Sequence, residues 1–473
     1  MKHHKKFVRG LLGATGLALS IPAVCAQDKP ASDPLLDLLI KKGVLTEAEA
    51  KQVKTEAEHG PMESGSKWKL SPNMKNIELY GDFRGRYEQN TAENQAYIDR
   101  NRYRYRLRLG LNMTMFENFQ VGMRLASGNP QFNPGGTLVG GAPITANQDL
   151  NSLETRKFVW IDAAFAKWTP VKNDDWNFAA TLGKLDNPFQ LSNMVWDYDI
   201  VPEGAALQGG YNFNKDHSLK GIAGIFVLDE LNQGYAGGNT LPAGTPVAPS
   251  HDPFLYGGQV LLESKWTPKI DTSLGIAAFT IAEKESLSSK VQPFYNSGNT
   301  RDPNGFLKYN FNPVIGTAAA TYKLDSFPLY PGKFPIKASG EFMNNPGAPD
   351  NNEAYRIGLT LGKAGKKHAW EINYRYQELQ ADAWFDALVD DDNGAFYAAG
   401  PGGAATGQLA GTGKSSGWFG GTNVRGHQIV AVYSITDFMN FFEAVCDKNN
   451  AQTLCSEITH DLEKLLHFVV AQG

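Results

Sequence analysis

The sequence predicts an all-β protein, a transmembrane antiparallel β-barrel of about sixteen strands (roughly 14–18), behind a short N-terminal periplasmic helical segment. Three observations predict it. A secretory signal opens the chain, and no apolar run long enough for a membrane helix follows. From Ile77 onward, apolar and polar residues alternate. The links between alternating segments are short and long by turns.

Lys2, Lys5, Lys6 and Arg9 precede the apolar stretch LLGATGLALSIPAV, and cleavage is expected after Ala26. Residues 1–26 are therefore read as a signal peptide. Their loss removes four basic and no acidic residues and takes the net charge from −4 to −8. That sign gives no reason to expect nucleic acid as a partner. Residues 27–75 form a helical leader: Asp33 and Pro34 suit the start of a helix, Gly43 its stop, and Thr46 with Glu49 makes a capping box. Residues 76–473 are left for the barrel.

In NIELYGDFRGRYE, Ile77, Leu79, Gly81, Phe83, Gly85 and Tyr87 share one face. NRYRYRLRLGLNMTMF repeats the pattern with an arginine at every second place. Period-two alternation predicts strands at 77–88, 100–115, 119–126, 158–168, 176–184, 205–213, 218–228, 254–264, 272–281, 313–323, 335–343, 354–362, 368–378, 424–434, 438–445 and 458–470. Three of these are blurred. KFVWIDAAFAKW fits either register, SLKGIAGIFVL alternates weakly, and TSLGIAAFTIA is apolar on both faces. The links ENF, NKDH and KAGKK are tight, whereas 127–157, 229–253, 282–312 and 379–423 are long and rich in Gly, Asn, Asp and Pro. Short turns at one rim and long loops at the other mark an outer-membrane barrel.

An arginine facing hydrocarbon costs about 2–4 kcal/mol near the bilayer midplane. Four of them would consume much of a typical stability of about 5–15 kcal/mol. Arg102, Arg104, Arg106 and Arg108 are therefore expected to face water inside the barrel, joined by Arg84, Arg86 and Arg124 from the flanking strands. Arg356, Glu371 and Arg375, with Lys337 and Glu341, are further lining candidates of mixed sign. Such a wall would favour anions unless nearby carboxylates neutralise it. Asp197, Asp199 and Glu203 mark one loop that could narrow the lumen, and 127–157 is an equal candidate. Cys446 and Cys455 are the two cysteines of the exported chain, and an oxidising compartment favours a disulfide between them over free thiols.

No catalytic arrangement stands out. GQLAGTGKSS lacks the first glycine of a phosphate loop, DDDNG lacks the alternation and terminal glutamate of a calcium loop, and the histidines show no zinc spacing. Neither an enzyme activity, a cofactor nor a metal is expected.

The leader LLDLLIKKGVLTEAEA, then YGDFRGRYE and RNRYRYRLRLGL, resembles the opening of the bacterial outer-membrane porin family. LGKLDNPFQLSNMVWDYDIVPEGAAL resembles its mid-chain signature, and RGHQIVAVYSITD its closing region. The resemblance implies one β-barrel in the outer membrane of a Gram-negative bacterium, surrounded by lipid and passing small hydrophilic solutes passively. Barrels of this size are commonly homotrimers, and monomers occur. Two other readings stay open: a plugged barrel whose long loops bind a partner as adhesin or receptor, and an exported soluble glycan-binding β-protein.

Overall fold

The protein is described here by a computed structural model covering residues 42, 46, 74–92, 97–98, 100–132, 138–230, 235–236, 239–240, 252–287, 297–302, 305–390, 398–399, 421–448 and 451–461. The expected signal peptide, its cleavage point at Ala26 and, apart from Lys42, Thr46 and residues 74–75, the helical leader lie outside the described residues. The strands all fall in the unit Ser71–Gly473.

Alternating residues become strand wherever the alternation is clean. Among the described residues there are sixteen long strands: β1 (Met74–Ala92), β2 (Arg100–Met115), β3 (Phe119–Ser127), β4 (Val159–Lys172), β5 (Trp176–Lys184), β6 (Glu203–Asn214), β7 (His217–Val227), β8 (Phe254–Thr267), β9 (Ile270–Ala282), β10 (Val314–Leu324), β11 (Phe334–Asn344), β12 (Glu353–Gly362), β13 (Trp370–Leu379), β14 (Val424–Ser434), β15 (Met439–Lys448) and β16 (Ala451–Asp461). Each pairs antiparallel with its neighbours in the chain. β16 pairs with β15 and also with β1, in a register running from Asp82 opposite Asp461 to Ala92 opposite Ala451. A two-residue strand, Gln148–Asp149, adds to β2 beside Arg104 and Tyr105.

The turns after β2, β4, β6 and β8 are short, at 116–118, 173–175, 215–216 and 268–269. The opposite ends carry the long links 128–158, 185–202, 228–253, 283–313 and 380–423. The sorting expected from the sequence is therefore present.

The two faces of the sheet differ. Leu79, Phe83, Tyr103, Leu107 and Leu109 stand exposed, Tyr103 at 64%, whereas Arg86, Glu88 and Arg104 on alternate positions are 6% exposed or less. The apolar face is bare, and the other is covered by loops. The bare face bears Trp168, Trp176, Phe213, Trp266 and Tyr322 near the short turns, and Tyr103, Tyr256, Phe342 and Tyr355 toward the long loops. Tyr374 is exposed on this face too, while Trp370 packs in a ring cluster with Phe327, Tyr330 and Phe334.

Two segments depart from the alternation pattern. In β4 the pairing with β3 shifts between Arg124 and Leu125, leaving Asp162 as the extra residue. Val159 and Ile161 are exposed before this bulge, whereas after it Ala163 is wholly buried and Trp168 is exposed. A bulge flips the face of every later residue, so both registers of KFVWIDAAFAKW are used. The last strand was expected at 458–470 and lies at Ala451–Asp461. The polar run AQTLCSE reads as loop but pairs along its whole length with β15, and 462–473 lie outside the described residues.

Gly183 and Gly204 face each other where β5 ends and β6 begins, with φ of 121° and 154°. A Cβ at Gly183 would collide with the Ala164 carbonyl, and one at Gly204 with that of Ile225. These glycines let the chain leave the sheet into 185–202. Gly183→Val is expected to destabilise the fold by at least about 1–3 kcal/mol, the usual range for a strained backbone, read as a lowered thermal midpoint of the β-sheet circular dichroism signal.

Candidate functional site

Arg84 and Arg86 from β1, Arg102, Arg104, Arg106 and Arg108 from β2, and Arg124 from β3 all stand on the covered face. The register places Arg84 directly opposite Arg106 and Arg86 opposite Arg104. Like charges so placed destabilise a strand pair. The flanking pairs are complementary, with Asp82 opposite Arg108 and Glu88 opposite Arg102.

Carboxylates surround the ladder. Glu88 reaches Arg86 at 3.3 Å and Arg104 at 3.4 Å, and also binds Arg102. Asp82 bridges Arg106 at 2.9 Å and Arg108 at 2.6 Å. Arg124 pairs with Asp162 at the bulge and with Asp186 at 2.7 Å. Loops supply the rest. Asp149 sits 3.0 Å from Arg104 Nε, Arg84 donates to Asn147 Oδ1 at 2.7 Å, and Asp199 takes Arg106 at 3.2 Å. Six of the arginines therefore meet six carboxylates, Asp82, Glu88, Asp149, Asp162, Asp186 and Asp199, and Arg84 meets the Asn147 amide.

Both loops proposed for narrowing come onto the covered face. Residues 145–149 lie over the ladder, fixed by Ser127 Oγ, which donates to the Ala146 carbonyl at 3.0 Å and accepts from Leu107 N at 2.9 Å. Residues 185–202 reach it too, through Asp186 and Asp199. Of the three carboxylates singled out there, Asp199 alone engages the ladder. Asp197 is 4% exposed and holds the turn, its Oδ1 accepting from Asp199 N at 2.7 Å. Glu203 is the first residue of β6 and pairs with Lys184 at 3.0 Å, outside the loop.

A third segment, 380–390, was not foreseen. Trp384 is fully buried and donates from Nε1 to the Val195 carbonyl at 2.7 Å. With Phe189, Met194, Val195, Trp196 and Phe385 it packs against Phe226, Leu255, Phe279, Ile315 and Met343 on the strands. The signal was present in AWFDALV, an apolar run inside a loop otherwise rich in Gly and Asp. Polar contacts lock the segment in place. Asp386 bonds Arg301 Nη2 through both oxygens, at 3.0 and 3.2 Å, and accepts from Ser297 N at 2.8 Å. Burial holds the Asp382 carboxyl above its ordinary range, against the two bonds it accepts from Thr300.

Arg356 on β12 and Arg375 on β13 are together on the covered face, across from the loop that carries Asn193 and Tyr198. Arg356 donates to Asn193 Oδ1. Glu371 lies toward the short-turn end and accepts from Ala364 N at 3.3 Å, apart from this pair. Cys446 stands opposite Thr453 and Cys455 opposite Ala444, one diagonal step from each other in the β15–β16 register.

Residues 92–306 match the model of the family described as "Putative porin". No curated protein matches the chain. Among solved structures, Salmonella typhi OmpF in complex with daunomycin aligns at a TM-score of 0.42 with 11% identity, over 83% of this chain and 100% of that one. A triple mutant of Rhodopseudomonas blastica porin aligns at 0.38 with 9% identity, over 82% and 100%.

Arg301 and Asp386 have side chains only 2% and 1% exposed. Truncating one partner of a buried pair typically costs about 3–5 kcal/mol. Asp386→Ala is therefore expected to open 297–302 and 380–390 to limited proteolysis while the strand signal in circular dichroism persists.

Proposed function

We propose that this chain, whose residues 92–306 match the porin family model, is a porin: a closed sixteen-stranded barrel in the outer membrane that passes small hydrophilic solutes by diffusion and favours anions. The observation that carries the reading is the division of the sheet into a bare apolar face and a covered face bearing the arginines and their carboxylates. Hydrocarbon accepts the first and rejects the second. With every long strand paired on both sides, a spanning sheet leaves no backbone edge in lipid. The aromatic residues near the two ends of the bare face suit the two interfaces.

In this reading the covered face lines an aqueous lumen that 138–158, 185–202 and 380–390 narrow. Anion preference follows from Arg356 and Arg375, which have no carboxylate at ion-pair distance among the described residues. Export by the expected signal brings the chain to the outer membrane, and a homotrimer would bury part of the bare face.

Single-channel recording of the refolded protein in a planar bilayer tests the proposal. Discrete conductance steps are expected, with a zero-current potential of anionic sign under a salt gradient. A barrel that inserts and never conducts would sink the channel reading and favour a plugged receptor. Trp384→Ala, which removes about 3–5 kcal/mol of packing, is expected to loosen the inward loops and raise the unit conductance.

A further inference from the structure

Cations on the covered face are not equivalent. The ladder arginines Arg86, Arg102, Arg104, Arg106, Arg108 and Arg124 each have a carboxylate at ion-pair distance. Arg356 and Arg375 have none among the described residues. The register explains why. Arg375 stands opposite Gly358 on β12 and Gln428 on β14, neither of which can offer a negative charge. Arg356 stands opposite Glu341, but that carboxylate is turned to Ser192, accepting from its N at 3.1 Å and from its hydroxyl. Asp390 is likewise bound to Asn193.

The neighbours of the two guanidinium groups also lack partners. Arg375 Nε is buried without a hydrogen bond. Gln377 faces Arg356 across the strand pair, is 2% exposed, and has both amide atoms buried without a partner. Tyr198, 68% exposed, lies within electrostatic reach of Arg356 and Arg375, as well as of Asp390 and Glu341. Two guanidinium groups one diagonal step apart repel each other, and nothing in the described chain answers Arg375. An ion with two or more oxygens can accept from both planar forks at once.

We infer that Arg356 and Arg375, backed by Gln377 and faced by Tyr198, form a binding site for the oxyanion group, carboxylate or phosphate, of a small solute in transit. The inference rests on the channel reading and sharpens it. The ladder, largely neutralised, keeps the wall polar, while this pair holds the anion.

The test uses the full mature chain in planar bilayers in chloride, with malonate or inorganic phosphate added to one side as the probe. Each should reduce the current in a saturable way if both fit. Block by malonate alone assigns the site to carboxylates, and block by phosphate alone to phosphates. Arg375→Gln, which removes no hydrogen bond within the described chain, should keep the conductance steps and raise the half-blocking concentration about tenfold, as loss of a charge-assisted contact does. Tyr198→Phe, a change at an exposed position, should weaken the block less, and Arg375→Lys should restore part of it. Conductance steps with no block by either ion, or with a block that Arg375→Gln and Tyr198→Phe leave unchanged, would overturn the site and leave the channel standing. Absence of conductance in every form would instead remove the channel reading beneath it.

Discussion

A sheet has two faces and no others, so every charge on its strands must be assigned to one of them. Arginine at four alternate positions of β2 makes that assignment for the whole sheet. Because side chains alternate strictly, a slip of one residue between β1 and β2 would send Arg104 and Arg106 to the face of Leu107 and Leu109. The acid–base pairs Asp82–Arg108 and Glu88–Arg102 resist such a slip from both ends of the ladder. Register here is held by charge complementarity on one face as much as by apolar matching on the other.

The same register creates a difficulty that the strands alone do not resolve. It sets two arginines of β1 directly against two of β2, and the intervening positions offer no acid. The relief comes from loops. Asp149 and Asn147 descend from 128–158, Asp199 from 185–202, and each meets an arginine in the middle of the ladder. The inward course of these loops is therefore a consequence of strand chemistry. Asp199 meets Arg106 directly at 3.2 Å, so negative charge arrives where the strands alone set arginine against arginine.

Much of the fold was legible because alternation is a direct imprint of a two-faced environment. The bounds 100–115, 176–184 and 424–434 coincide with β2, β5 and β14. Legibility ended where local pattern and tertiary setting part. The bulge at Asp162 makes β4 obey both registers in turn, which no single register describes. β16 is polar enough to pass for loop, since its partners β15 and β1, not its own hydrophobicity, define it. At the site, the seven arginines were readable from spacing, whereas their carboxylates were only partly so. Asp82 and Glu88 lie on the neighbouring strand, but Asp149, Asp186 and Asp199 arrive from loops whose path depends on packing far along the chain.

The failures of alternation turn out to carry information of their own. SLKGIAGIFVL alternated only weakly, and TSLGIAAFTIA was apolar on both faces. Ile222 and Phe226 on β7, and Ala277, Phe279 and Ile281 on β9, are the covered-face residues responsible, and all are buried. They lie under Phe189, Trp196 and Trp384, whose rings meet them edge-on or tilted. A covered face that turns apolar therefore marks where a loop lies upon it. The face then divides into an arginine-bearing part on β1–β3, an apolar part on β7–β11, and a zone on β12–β14 where Arg356 and Arg375 emerge beside the loop's edge. At such a margin, burial by the loop lowers the local dielectric, which strengthens the mutual repulsion of two guanidinium groups that have no carboxylate beside them.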